Sequence, residues 1–324
     1  AGLPPTVGAT ALNKVCGSGL KTCMLAAQAI RAGDADLIVA GGMESMSNAP
    51  HLIRGRGGLA FGHQRLVDAL LHDGLWDPFE DWAMGMAAEH IASAYEVSRD
   101  AMDEWALASH RKAITAIDRG EFEREIIPIE IPSKKGPATV VAQDETPRRE
   151  TSLEALAALK PAFKPDGRVT AGNSPGLNDG AAALVIASRH RARELGTTPM
   201  ARIVGYAQAA VPPKELFIAP AHAIPRLLER VGWRLADVDL VELNEAFAAQ
   251  VLADGYALAE QGWDWEKVNV RGGGIALGHP IGASGARILT TLLHALQDRG
   301  QRRGIAALCL GGGEAVAMAV ELEA

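Results

Sequence analysis

Short apolar runs punctuate the chain at intervals. DLIVAGG (36–42), AALVIA (182–187), RIVGYA (202–207), VDLVEL (238–243) and IAALCL (305–310) each read as a short buried strand. Continuous apolar runs of this length are expected of strands covered on both faces. Between them, 17–32, 221–231 and 283–298 carry helical spacing. Strand alternating with helix predicts an α/β fold with a largely parallel sheet.

Two segments resemble each other. Residues 34–45, DADLIVAGGMES, follow a helix that begins just after Cys16, and 303–315, RGIAALCLGGGEA, follow one that begins just after the His279 loop. The repetition predicts two similar halves facing one another. From about 46 to 165 the alternation breaks. IRGRGGLAFGHQR is Gly-rich and basic, amphipathic helices follow across 80–118, and PSKKGPA and TPRRE lie in a polar region. A stretch of this length with its own helices reads as an inserted subdomain, a common seat of ligand contacts and oligomer surfaces. The predicted organisation is an N-terminal half from 1–45 and 166–195, an inserted loop subdomain at 46–165, and a C-terminal half at 196–324.

Composition narrows the classes. Apolar residues make up 48% of 324, enough for a sizeable core, and no run approaches the ~18 residues of a membrane helix. A net charge of −7 argues against a nucleic-acid surface, though not against a local basic patch for one anionic ligand. The three cysteines, 16, 23 and 309, are too few for a disulfide framework and lack metal-ligand spacing. They fit a reducing compartment, so the expected location is cytoplasmic.

The candidate chemistry sits at strand ends and Gly-rich turns. Cys16, in NKVCGSGLKTC, precedes a Gly-Ser-Gly turn and a helix, whose first amides and dipole are expected to stabilise a thiolate. Cys23 falls on that helix's apolar face and reads as a core thiol. His279 lies in VNVRGGGIALGHPIGASGARIL, after an expected strand and glycines, with Pro280 stiffening the backbone behind it. GGGIALG lacks the glycine spacing and the distant acid of a dinucleotide fingerprint. Cys309 ends a strand before three glycines whose amides could form one side of an oxyanion hole, and its plainer reading is a core cysteine. Asn244, in LVELNEAFAAQ, follows another strand and reads equally as a helix N-cap. Thioester exchange needs such a set: a nucleophile, a base, a second acid/base and oxyanion donors.

NKVCGSGL, VAGGMESMSNAPH, RVTAGNSPGLNDGAAALV, LVELNEAFAAQ, VNVRGGGIALGHPIGASGARIL and LCLGGGEAVAM together resemble the thiolase family, in the family's order and across nearly the whole chain. The resemblance implies two similar α/β halves packed together with an inserted loop subdomain. It implies reversible cleavage of 3-ketoacyl-CoA or Claisen condensation of acetyl-CoA. Cys16 would be acylated, His279 would activate it, and Cys309 would move the α-proton. Asn244, through a bound water, would help His279 stabilise one oxyanion, and the amides of Cys16 and Gly311 would form a second hole. Leu75, Met84, Phe163, Ala171 and Phe247 match the family's substrate pocket, and Arg148 a contact to the nucleotide end of coenzyme A. PHLIRGRGGLAFG resembles the loop joining dimers into tetramers, so a homodimer or homotetramer is expected. The implied partners are acyl-CoA and CoA as substrates, with no metal or redox cofactor, no nucleic acid and no membrane.

Two departures bear on substrate. Biosynthetic members carry a histidine just before the methionine matching Met84, whereas Ala83 stands here, implying a wider or less polar pocket. Pro175 replaces a serine expected at the pantetheine arm. Family members also carry strand–helix units before the segment matching Ala1, without which neighbouring strands would expose edges. These 324 residues alone are therefore expected to be poorly soluble or inactive, which leaves a non-catalytic CoA- or lipid-binding relative as the alternative reading. A decarboxylating ketoacyl synthase would pair a cysteine with two histidines, and here Asn244 and Cys309 stand instead.

Overall fold

A computed structural model describes residues 2–59, 61–133 and 136–323. Ala60, in the expected oligomer loop, Lys134 and Lys135, in the polar PSKKGPA stretch, and the terminal Ala1 and Ala324 lie outside the described residues.

In chain order the principal elements are helix α1 (Ser18–Ala32), strand β1 (Leu37–Ser45), helices α2 (Met84–Ala94) and α3 (Arg99–Asp118), and strands β2 (Asp179–Ala187) and β3 (Ala201–Ala210). Helix α4 (Ala219–Val231), strand β4 (Leu240–Leu243), helices α5 (Ala248–Leu258) and α6 (Ile281–Asp298), and strands β5 (Arg303–Leu310) and β6 (Glu314–Leu322) complete the scaffold. Local chemistry sets several boundaries. The Ser98 hydroxyl accepts from the Ala101 amide and starts α3, while Gly232, at φ 70°, ends α4 in the left-handed conformation.

The sheets differ from the expectation of parallel pairing. One has the order β4–β5–β6–β3, and only β4–β5 is parallel. A second pairs β1 with β2 antiparallel, from Leu37 opposite Ala187 to Ser45 opposite Asp179. For β5 and β6 the reason lies in the glycines after Leu310. Gly312 and Gly313 adopt φ of 89° and 85° and fold the chain into a hairpin, so the chain returns as strand β6. Strand β6, buried almost throughout, was not among the expected strands.

The duplication is visible in the order helix, strand, antiparallel partner, as α1–β1–β2 in one half and α6–β5–β6 in the other. Burial differs between the halves. Strands β5 and β6 are covered on both faces, whereas β1 and β2 leave Val39, Met43 and Val185 exposed on one face, against the expectation of full cover. Helices α1 and α6 form a layer between the two sheets. Leu20 and Met24 of α1 and Ile288 and Leu292 of α6 pack on Leu308, Leu310 and Met318, with Ile38 and Leu184 closing the other side. The opposite face of the larger sheet, carrying Ile305, Ala307 and Ala317, is covered by Ile224 and Leu227 of α4. The period-two alternation along β5 thus divides two cores. Helices α2 and α3 bury Ile91, Met102 and Ala106 against Phe217, Phe247 and Ala249. Among the described residues no helix is long and apolar enough to cross a membrane.

The two site-bearing helices meet at their first turns. A side chain on Gly19 would lie 2.6 Å from the Ala286 backbone nitrogen, one on Gly285 would run into Leu20, and one on Gly42 of β1 into the Gly282 carbonyl. Backbone therefore touches backbone where α1, β1 and α6 converge. Replacing Gly285 by alanine should force the helices apart and cost about 1–3 kcal/mol, typical of overpacking. A lower chemical-denaturation midpoint, together with weakened activity, is the expected result; an unchanged midpoint would contradict this account of the contact.

Candidate active site

The His279 loop is built on one buried carboxylate. Glu245 Oε1 accepts from Trp105 Nε1 and Asn269 Nδ2, both at 3.1 Å, and Oε2 accepts from Ser109 Oγ at 2.7 Å and the Ile275 amide at 3.0 Å. Four donors satisfy a group that would otherwise be costly to bury. The chain passes tightly around it. A side chain on Gly273 would strike the Glu245 carboxyl, and one on Gly272, at φ 76°, would lie 2.5 Å from the Ser109 carbonyl. These glycines serve close packing on Glu245 and α3. The strand expected before them is reduced to isolated bridges of Val268 and Val270, because Asn269 (φ 47°) and Gly272 turn the backbone there.

That loop delivers His279 two residues ahead of the first residue of α6. Its Nδ1 lies 2.6 Å from Ser284 Oγ, and that hydroxyl donates to the Pro280 carbonyl at 2.9 Å. A serine has one proton to give, so toward the ring it accepts, which places the imidazole proton on Nδ1. Nε2 is left with its lone pair, 3.5 Å from Asn244 Nδ2. Burial first, and the Arg287 charge second, push the imidazole down to about 4, so the ring is neutral at physiological pH. Asn244 is held by its own amide on the Ala307 carbonyl at 3.0 Å. It does not cap a helix, since α5 begins at Ala248 behind Phe247.

Cys16 occupies the equivalent place ahead of α1. Val15 before it adopts φ 49°, a conformation that β-branched residues avoid, and the Lys14 amide donates to Ser18 Oγ at 2.9 Å across the turn. The backbone amides of Gly311 and of Cys16 itself act on the sulfur. They do not make a resting thiolate. Burial outweighs them and pushes the thiol up to about 11, against the expectation that the helix start would lower it. Cys309, buried at the end of β5, is pushed well above its ordinary value by burial, with Cys16 adding to it. Cys23 is fully buried in the core beside α6.

Cys16, His279, Cys309 and Gly311 converge on one pocket. Leu75, Met84, Phe163 and Phe247 line it, as do Ala83 and Pro175. Phe247 packs edge-on against Phe163 and Phe217, with ring centroids 6.4 and 5.3 Å apart, and Gly85 leaves room for the Phe163 ring. Asn244 stands behind His279 and does not line the pocket. Neither does Ala171, nor Arg148, whose backbone amide donates to His110 Nδ1 at 3.2 Å on α3. Sequence reasoning missed Ser284, Glu245, Leu216 and Phe217. An acid inside a largely apolar run was a usable signal for Glu245; nothing in the order of residues marked the other three.

The chain matches the family models described as thiolase, N-terminal domain, over residues 1–190 and thiolase, C-terminal domain, over residues 197–322. An acetyl-CoA acetyltransferase of Pseudomonas aeruginosa is 54% identical over 319 residues, covering 98% of this chain and 80% of that protein. One of Cupriavidus necator is 52% identical over 322 residues, covering 99% and 81%. The crystal structure of the Bacillus anthracis acetyl-CoA acetyltransferase superposes with a TM-score of 0.95 at 46% identity, over 99% of this chain and 81% of that one. The acetyl-CoA acetyltransferase of Syntrophomonas wolfei gives 0.96 at 43% identity, over 99% and 82%.

The Ser284 contact fixes the face His279 presents to the pocket. Ser284→Ala should lower turnover roughly tenfold, the worth of one good hydrogen bond, with substrate KM little changed. Steady-state kinetics check this; an equal loss in KM alone would mean that Ser284 serves binding.

Proposed function

The chain belongs to the thiolase family, and from that premise we propose that Cys16 carries the acyl group in an acyl-CoA C-acyltransferase cycle. The observation that carries this reading is the meeting of two thiols and a neutral imidazole in one apolar pocket, each on a different element. In the thiolytic direction the Cys16 sulfur attacks the C3 carbonyl of a 3-ketoacyl-CoA as His279 Nε2 takes its proton. Because the thiol and the imidazole are both neutral at rest, deprotonation accompanies attack and does not precede it. The C3 oxygen gains charge and is met by fixed donors. The C2–C3 bond then breaks, its electron pair passes to C2, and the Cys309 thiol supplies the proton that releases acetyl-CoA. Cys309, now a thiolate, takes the proton of incoming CoA, whose sulfur attacks the Cys16 thioester. His279 returns its proton to Cys16 as acyl-CoA leaves. Atoms and charge balance over the cycle, and condensation is its reverse.

The Gly311 and Cys16 amides serve as the oxyanion donors beside the nucleophile, and Asn244 with His279 as the second set. Arg148, beside α3, serves the nucleotide end of coenzyme A. For substrate, Ala83 at the pocket wall, with Leu75, Met84 and Phe217, favours acyl chains beyond the four carbons of acetoacetyl-CoA. The working form is a homodimer or homotetramer in the cytoplasm.

One assay tests chemistry and chain length together. Wild-type protein should cleave both acetoacetyl-CoA and a medium-chain 3-ketoacyl-CoA in the presence of CoA. Cys16→Ser should fall at least ~100-fold on both, because a neutral hydroxyl is a far weaker nucleophile. Near wild-type turnover in that variant would remove Cys16 from its role, and activity confined to acetoacetyl-CoA would refute the longer chain.

A further inference from the structure

Helix α2 meets the pocket with its first turn and a neighbouring loop with its second. Met84 lines the pocket, and a side chain on Gly85 would lie 2.2 Å from the Phe163 ring, so the ring rests on bare backbone there. Glu89 follows Gly85 by four residues and shares its face of the helix. It is 1% exposed, and its Oε1 accepts from the Arg168 and Val169 amides, both at 2.7 Å. Gly167 closes on the same oxygen, since a side chain there would lie 2.3 Å from it. Lys164 Nζ stands 3.5 Å from Oε2.

These contacts reach Phe163 through the backbone. The Ala162 amide donates to the Val169 carbonyl at 2.9 Å and the Gly167 amide to the Lys164 carbonyl at 3.1 Å, so 162–169 closes on itself with Phe163 near one end. Val169 hangs from Glu89 by its amide and holds Ala162, and with it Phe163, by its carbonyl. Phe163 is 39% exposed, so burial alone does not keep the ring in place. Arg168 Nη1 donates to the Ala92 and Val97 carbonyls at 3.0 and 2.9 Å, which ties the loop to the far end of α2 independently of Glu89.

We propose that Glu89 is a positioning residue that fixes Phe163 as a wall of the pocket and so selects the length of the acyl chain. The proposal rests on the reading of this pocket as the acyl site. A buried acid that satisfies two backbone amides defines one position for the loop, and its loss leaves both amides without an acceptor. Freed from that position, the ring gives way to a longer chain.

Two variants attack the contact from opposite sides, so that a folding failure in one leaves the other. Glu89→Ala removes the acceptor, and Gly167→Ala pushes the loop off it. The first readout needs no substrate. In protein carrying 4-fluorophenylalanine, the Phe163 signal is assigned by NMR from its loss in Phe163→Leu. It should move in both variants and stay in place in Glu89→Gln, whose carbonyl oxygen still accepts. The second readout is kcat/KM for a medium-chain 3-ketoacyl-CoA relative to acetoacetyl-CoA. That ratio should rise about tenfold in both variants, the lower worth of one methylene in an apolar pocket. A general loss of structure would lower both substrates together and leave the ratio where it was. In a Phe163→Ala background the same substitutions should no longer alter it. An unmoved fluorine signal, an unchanged or lowered ratio, or a rise as large in the Phe163→Ala background overturns the proposal. A wild type that cleaves neither thioester would instead sink the reading of the pocket, with the fluorine signal still deciding whether Glu89 holds Phe163.

Discussion

Everything at the pocket depends on backbone touching backbone where α1, β1 and α6 converge. Gly19, Gly42, Gly282 and Gly285 leave no room for a Cβ between these elements, so the two helix starts lie against one another inside a layer walled by sheets. Cys16 and His279 each stand two residues ahead of a helix that takes part in this contact. Their proximity is therefore a property of the helix layer and not of the flanking loops alone. The duplication gives it a simple origin: each half supplies a helix, a following strand and one reactive side chain at the helix start.

Burial does the second half of the work, and its sign is the same for every group. Thiols lose their anion and the imidazole loses its cation, so Cys16, Cys309 and His279 all rest uncharged. The amides of Gly311 and of Cys16 itself act in the opposite direction on the thiol but are outweighed. Such a site stores no ion pair; charge appears in it when a substrate carbonyl becomes an oxyanion beside donors already in place. Glu245 is the counterpart in the framework. With four hydrogen-bond donors, it is a buried carboxylate spent on holding the His279 loop to α3.

Much of this was legible in the sequence. The strands near 36–42, 182–187, 202–207, 238–243 and 305–310 and the helices after Cys16 and His279 announced themselves through apolar runs and spacing. Long motifs resembling the thiolase family pointed to the reactive residues. Sheet direction was not legible, because an apolar run has the same composition whichever way its neighbour runs, and the glycines after Leu310 fit a helix entry as well as a hairpin. The thiol's ionisation was misjudged for a related reason. A helix start is visible in the order of residues, whereas the apolar cover that opposes it is assembled from Leu310, Val316 and others far along the chain. Ser284 was hidden too, since only the geometry of the turn shows that its hydroxyl gives its proton to Pro280.

The central claim is that the acyl group rides on Cys16. Brief incubation with ¹⁴C-acetyl-CoA, an acid quench and proteolytic mapping locates the adduct on a peptide. The account predicts a thioester on the peptide containing Cys16, absent from those containing Cys309. Label on Cys309, or a fully active enzyme that carries none on Cys16, would contradict it.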